Sequence, residues 1–153
     1  MTAQHTRLVG AGVKGQGALL KFDAVGMPQL FAETLHIVPH FDGTVAIGST
    51  TEREFTAPFE TDDLLEGKIA LAREVFPVLR DAPVVERWAG VRPRSRSRAP
   101  MIGEHPFRRD EFVANGGFKI GFGMAPKIGE VMADLILEGR DAVPYDFRPE
   151  RCL

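Results

Sequence analysis

Cysteine is nearly missing from this chain of 153 residues. The one cysteine, Cys152, stands next to the C-terminus. A single thiol excludes an intramolecular disulfide and a cysteine metal site. Long apolar runs are missing too. None approaches the ~18 residues of a membrane span. The opening "MTAQHTR" is polar, without the apolar core of a secretory signal. Excess charge of one sign is also lacking: 19 Lys and Arg against 21 Asp and Glu give −2. Nothing in that balance argues for nucleic acid or an anionic membrane. What remains is 44% hydrophobic and 26% charged, the composition of an ordinary globular domain. The length suffices for one core. A soluble, cytoplasmic protein with no nucleic-acid or membrane partner is predicted.

Within "LVGAGVKGQGALL", Gly10, Gly12 and Gly15 have the spacing G-x-G-x-x-G. A dinucleotide turn needs a helix opening inside the motif and a second strand ending in an acid roughly 20 residues on. Here "ALLKF" is brief and runs into Gly26 and Pro28. No strand ending in Asp or Glu follows at the required distance. The segment "VKGQGALLKF" reads instead as a strand whose glycines mark a bulge or close approach.

Further along, "ETLHIVPHFDGTVAIGST" (33–50) reads as a hairpin around Asp42–Gly43. A two-residue turn there pairs His40 with Val45, Val38 with Ile47 and His36 with Ser49. That register puts all six on one face. Thr61 reads as the cap of a helix that Pro77 stops, with Leu65, Ile69, Ala72 and Phe76 as its apolar stripe. Strands are predicted over 84–91 and 111–114, with a short one at Met101–Ile102. A final helix starts near Pro126 and ends before Gly139. Its apolar side is Ile128, Val131, Met132, Leu135 and Ile136. The tail from 141 reads as coil. The fold class is α+β: a largely antiparallel mixed sheet, a helix packed on one face and a C-terminal helix. No complete dinucleotide-binding Rossmann unit is expected. A flexible segment 1–12 precedes the main region 13–140, and 141–153 is the tail.

Several side chains invite chemical roles. His36 and His40 are about 13 Å apart on a strand, and Pro39 forbids a helix interior, so one metal cannot bridge them; no metal site is predicted. His36 alone is a half-buried sheet residue or a polar group lining a pocket. Arg94, Arg96 and Arg98 of "RPRSRSR" read as a solvated loop. Arg92 directly follows the apolar "WAGV", so its guanidinium starts from a buried side. It wants an anionic partner, and a carboxylate held bidentately fits best. In "NGGFKIGFGMAPKIG", glycines 116, 117, 121 and 123 let backbone N–H groups approach closely, and the next helix aims its positive end there. The segment reads as a flexible entry to a helix or as a cradle for an electron-rich ligand edge.

Taken in order, "WAGVRPRSRSRAPMIGEHP" and "GGFKIGFGMAPKIGEVMADLI" resemble the C-terminal half of the D-amino-acid oxidase superfamily of FAD-dependent oxidoreductases. Its glycine oxidase and sarcosine oxidase families are the nearest. Trp88, Gly90, Arg92, Pro93, Pro100, Ile102 and Gly103 match its pattern, as do Gly116, Gly121, Ala125, Pro126 and Gly129. "VKGQ" at 13–16 and the hairpin match further upstream. The resemblance spans about residues 13–140. It implies a substrate-domain part of an FAD-dependent amino-acid or amine oxidase, in which a hydride passes from the substrate Cα to the flavin. Arg92 falls on the arginine that grips the substrate carboxylate. His36 stands where glycine oxidases carry a substrate-contacting tyrosine. Lys119 replaces a second arginine and Gly117 a histidine. Gly116, Lys119, Gly121, Phe122, Gly123 and Pro126 fall on the segment facing the flavin. Arg92 and His36 are therefore expected at one cavity. FAD is the implied cofactor, held weakly or not at all by this chain alone. A separate FAD-domain polypeptide or a second copy is the implied partner, covering the apolar side of the last helix. A flavin-free carboxylate-binding domain or an inactive truncated remnant is the alternative.

Overall fold

The computed structural model describes residues 8–153. The expected flexible segment 1–12 lies outside the described residues as far as residue 7. Its last three residues belong to the first strand, β1 (Gly10–Lys21). There follow β2 (Leu30–Ala32), β3 (Leu35–Pro39), β4 (Thr44–Gly48), helix α1 (Asp63–Val75), β5 (Val84–Ser95), β6 (Met101–Glu104), β7 (Phe112–Asn115) and helix α2 (Gly121–Glu138). The class is α+β. One five-stranded sheet has the order β2-β3-β4-β1-β5, and β6 and β7 form an antiparallel pair. The chain divides into two compact units, residues 13–91 and residues 92–153 with the described part of 1–12.

In the first unit, α1 covers one face of the sheet. Leu65, Ile69 and Ala72 recur at helical spacing and meet Ala18, Leu20, Leu35, Ile37, Val45 and Ile47. Burying each of the larger side chains contributes about 1.5–3 kcal/mol. The hairpin register differs from the expected one by a single residue. His36 pairs with Gly48, Ile37 with Ile47, Val38 with Ala46 and Pro39 with Val45. Consequently Val45 and Ile47 share the core face with Ile37, while His36 faces away from α1. The loop is one residue longer than the expected two-residue turn. His40 N–H donates to Thr44 O at 2.9 Å, so the loop is Phe41, Asp42 and Gly43. Gly43 has φ +73°, the left-handed position of a three-residue hairpin loop. The Asp42 carboxylate accepts the Thr44 N–H at 3.0 Å.

The cap of α1 is Asp62, one residue past the expected Thr61; its side chain accepts the Leu64 N–H. The position is fixed by a partly buried polar cluster. The Gln16 amide nitrogen donates to Glu52 Oε1 at 2.9 Å and Asp62 Oδ1 at 2.8 Å, and its oxygen accepts the Asp62 N–H at 2.9 Å. Lys14 Nζ lies 3.1 Å from Asp62 and 3.5 Å from Glu52. Burial pulls the Lys14 ammonium down, but Asp62 and Glu52 outweigh it and hold it above its ordinary value. The cluster ties β1, the segment after β4 and the start of α1 together.

In the second unit, Val131 and Met132 of α2 pack on Ile102 and Val143, with Ile128, Leu135 and Phe147 around them. Most of the apolar stripe expected to lack cover is thus covered within the unit, and Ile136 is the part that stays exposed. Residues 141–153, read as coil, contain two short 3-10 turns, and Val143 and Cys152 are buried.

Candidate active site

One strand ends later, and one helix starts earlier, than the sequence pattern suggests. β5 runs through Pro93 to Ser95, so Arg92 and Arg94 stand at alternate positions of one strand and share a face. α2 begins at Gly121, more than a turn before Pro126, which sits inside the helix. A proline that early removes a hydrogen bond from the first turns only, which is why the helix continues through it.

Both ends meet at Phe118. The Phe118 N–H donates to Pro93 O at 3.1 Å, and Arg94 bridges to Gly117. Gly116 has φ +77°, and a Cβ there would lie 2.9 Å from Ser95 Cβ. Only glycine lets the turn sit this close to β5. The guanidinium carbons of Arg92 and Arg94 lie 5.9 and 5.6 Å from the Phe118 ring centroid, and Lys119 Nζ lies 5.8 Å from it. Each is within cation–π range. Arg92 and Arg94 are half-buried and Arg92 Nη1 is shut off from solvent. Three cations around one ring concentrate positive charge at the end of β5. Arg96 and Arg98 are exposed. Arg94 joins Arg92 on one strand face although "RPRSRSR" reads as loop. Its period-two spacing from Arg92 was the available signal.

Beside this cluster stands the start of α2. Ile120 caps it without a side-chain hydrogen bond. The N–H groups of Gly121, Phe122 and Gly123 have no partner within the helix, the usual condition of a first turn. A Cβ at Gly121 or Gly123 would meet nothing within 4 Å. Phe122 is 99% exposed. This opening, with the positive end of the dipole behind it, fits the electron-rich edge of a flavin ring. The motif at Gly10, Gly12 and Gly15 does not fit a pyrophosphate. It lies along β1, and a Cβ on Gly10 would come within 2.5 Å of the Arg94 carbonyl oxygen.

His36 belongs to the first unit. It sits on the sheet face away from α1, exposed, with its Nδ1 2.9 Å from the Gln29 amide nitrogen and its ring 4.6 Å from Phe31. Among the described residues, no three His, Cys, Asp or Glu are grouped to hold a metal ion. No helix among them is long and apolar enough to cross a membrane.

Comparison with known proteins accords with this arrangement. Residues 4–135 match the family model described as FAD dependent oxidoreductase. Glycine oxidase of Pseudomonas aeruginosa is 36% identical over 138 residues, 87% of this chain and 38% of that protein. A bifunctional ThiO/ThiG protein of Synechocystis is 30% identical over 149 residues, 92% of this chain and 22% of its own length. Among solved structures, glycine oxidase from Geobacillus kaustophilus superposes with TM-score 0.80 at 27% identity, covering 93% of this chain and 39% of that one. L-proline dehydrogenase from P. horikoshii shares the fold, with TM-score 0.82 at 22% identity, covering 97% of this chain and 41% of that one. The chain thus spans about two fifths of the length of the glycine oxidases it matches. It belongs to the FAD dependent oxidoreductase family, on the side of the family that includes glycine oxidase.

Proposed function

We propose that this chain supplies the substrate-binding portion of an FAD-dependent amino-acid or amine oxidase. The observation that carries the reading is the cationic cluster of Arg92, Arg94 and Lys119 at Phe118, next to the open first turn of α2. When bound, FAD supplies the two-electron acceptor. The chain's own residues do the rest. Arg92 grips the substrate carboxylate with its fork of donors. Lys119 and Arg94 add positive potential. His36 is a candidate polar contact for substrate. The N–H groups of Gly121, Phe122 and Gly123 receive the flavin's electron-rich edge, Gly116 shapes the turn beside them with its own N–H donated to Asn115 Oδ1, and Pro126 lies in the helix that aims its dipole there. Pre-set donors of this kind stabilise charge gained on reduction.

The partner in this reading is a separate FAD-binding polypeptide or a second copy of the chain. The location is cytoplasmic, which fractionation of the source cells checks. The flavin-free and remnant alternatives have no supporting observation. The test is anaerobic mixing of the chain and FAD, with and without the FAD-binding polypeptide, with glycine, sarcosine or proline. Bleaching of the flavin absorbance by one of them supports the reading. Retained flavin that none of them bleaches overturns it.

A further inference from the structure

The first unit contains a cavity that the proposed oxidase role does not use. It has a volume of about 590 Å³, inside the roughly 300–1,000 Å³ span of small-molecule sites. It opens on the α1 side of the sheet, the side that His36 does not occupy. Its floor is core: Ile37, Val45 and Leu79 are 5%, 1% and 2% exposed. Its rim is apolar and open to water at Val25, Met27 and Val78. The turn that shapes one wall is closed by the Met27 N–H to Ala24 O bond of 3.0 Å.

One ionisable side chain lines this cavity, Asp23. Its Oδ1 accepts the Val25 N–H at 3.2 Å. Among the described residues it enters no ion pair, and the nearby Lys21 is turned to the Asp42 carbonyl. A carboxylate has acceptor sites for more than one donor. An apolar chamber with one carboxylate at its solvent-exposed edge favours an apolar body carrying a positive head over an anion of the same shape.

We propose that this cavity binds a small cationic amphiphile, an alkyl or aryl ammonium ion, with its apolar part on Ile37, Val45 and Leu79 and its head at Asp23. Calorimetric titration of the full chain with octylammonium, octanol and octanoate tests it, with melting temperature as the check on folding. Octylammonium should bind saturably and tightest of the three. Asp23→Asn should weaken it about three- to fivefold, the effect of losing a partly exposed ion pair. Met27→Lys, at an exposed rim position, should weaken it by a similar factor while octanol changes less. Three results overturn the proposal: no saturable binding of octylammonium, octanoate binding as well as octylammonium, or folded variants with unchanged affinity. Displacement of octylammonium by glycine overturns it as well, since that places the amine at the oxidase site.

Discussion

At the scale of single residues, charge geometry decides most outcomes. Arg92 reaches the Phe118 cluster from a strand and has one nitrogen shut off from water. Lysine keeps the charge but loses the two-pronged geometry. On the proposed function, Arg92→Lys should weaken substrate-carboxylate binding about tenfold, equal to about 1.4 kcal/mol. Arg96→Ala, on an exposed side chain, should change it little; substrate titration of the flavin-loaded assembly reads both. The partly buried cluster around Gln16 has its own signature. Burial pushes the Glu52 carboxyl up, but the Thr50 hydroxyl, the Gln16 amide and Lys14 hold it below the usual value. The Gln16 amide first, and Lys14 next, hold Asp62 below its usual value. Carboxyls lowered in the folded state stabilise it above their unfolded values, near pH 4, and that contribution is lost as pH falls through the folded ones. Urea unfolding should therefore show stability level from about pH 5 upward and falling below it. In Gln16→Met the acid fall should be shallower.

At the scale of elements, the start of α2 separates folding from function. A methyl group on Gly121 meets nothing within 4 Å, and alanine is the better helix former. Gly121→Ala should leave the melting temperature of the chain unchanged or higher. The same substitution should weaken flavin retention in the assembly, because the methyl group enters the space proposed for the flavin edge. A fall in melting temperature with flavin retained would reverse that assignment. The elements also mark how far a linear pattern reaches. The α1 stripe of Leu65, Ile69 and Ala72 was legible because helical periodicity is local. The α+β order and the strand from Val13 onward were legible because those patterns are local too, whereas the start of β1 at Gly10, read as flexible, was not. The extension of β5 to Ser95 was not, because its pairing with Gly117 depends on a turn more than twenty residues on. Nor was Asp62 as the cap of α1, since its choice over Thr61 rests on Lys14 and Gln16. Arg92 and the 116–123 turn stand out from the residues themselves and Lys119 from the family pattern, whereas the shared strand face of Arg92 and Arg94 needs the full length of β5.

At the scale of the whole molecule, the chain spans about two fifths of the relatives it resembles, and its G-x-G-x-x-G lies in a strand. Purified alone, it should carry no flavin absorbance near about 450 nm, because a dinucleotide is gripped mainly through the glycine turn and helix of a βαβ unit. Gel filtration with added FAD checks this, and a yellow protein peak contradicts it. The hairpin loop bears on how the first unit comes together. Phe41 is 94% exposed, yet whether it counts as loop or strand decides which side chains are inward. Both phases offer the hairpin a comparable ladder. What distinguishes them is the apolar surface that α1 brings, and α1 begins twenty residues after Gly43. A peptide of residues 33–50 should therefore show mixed pairings by NMR, with Thr44 close to both His40 and Phe41. The ribbon carries an ambiguous message, and the helix made later along the chain supplies the parity that resolves it.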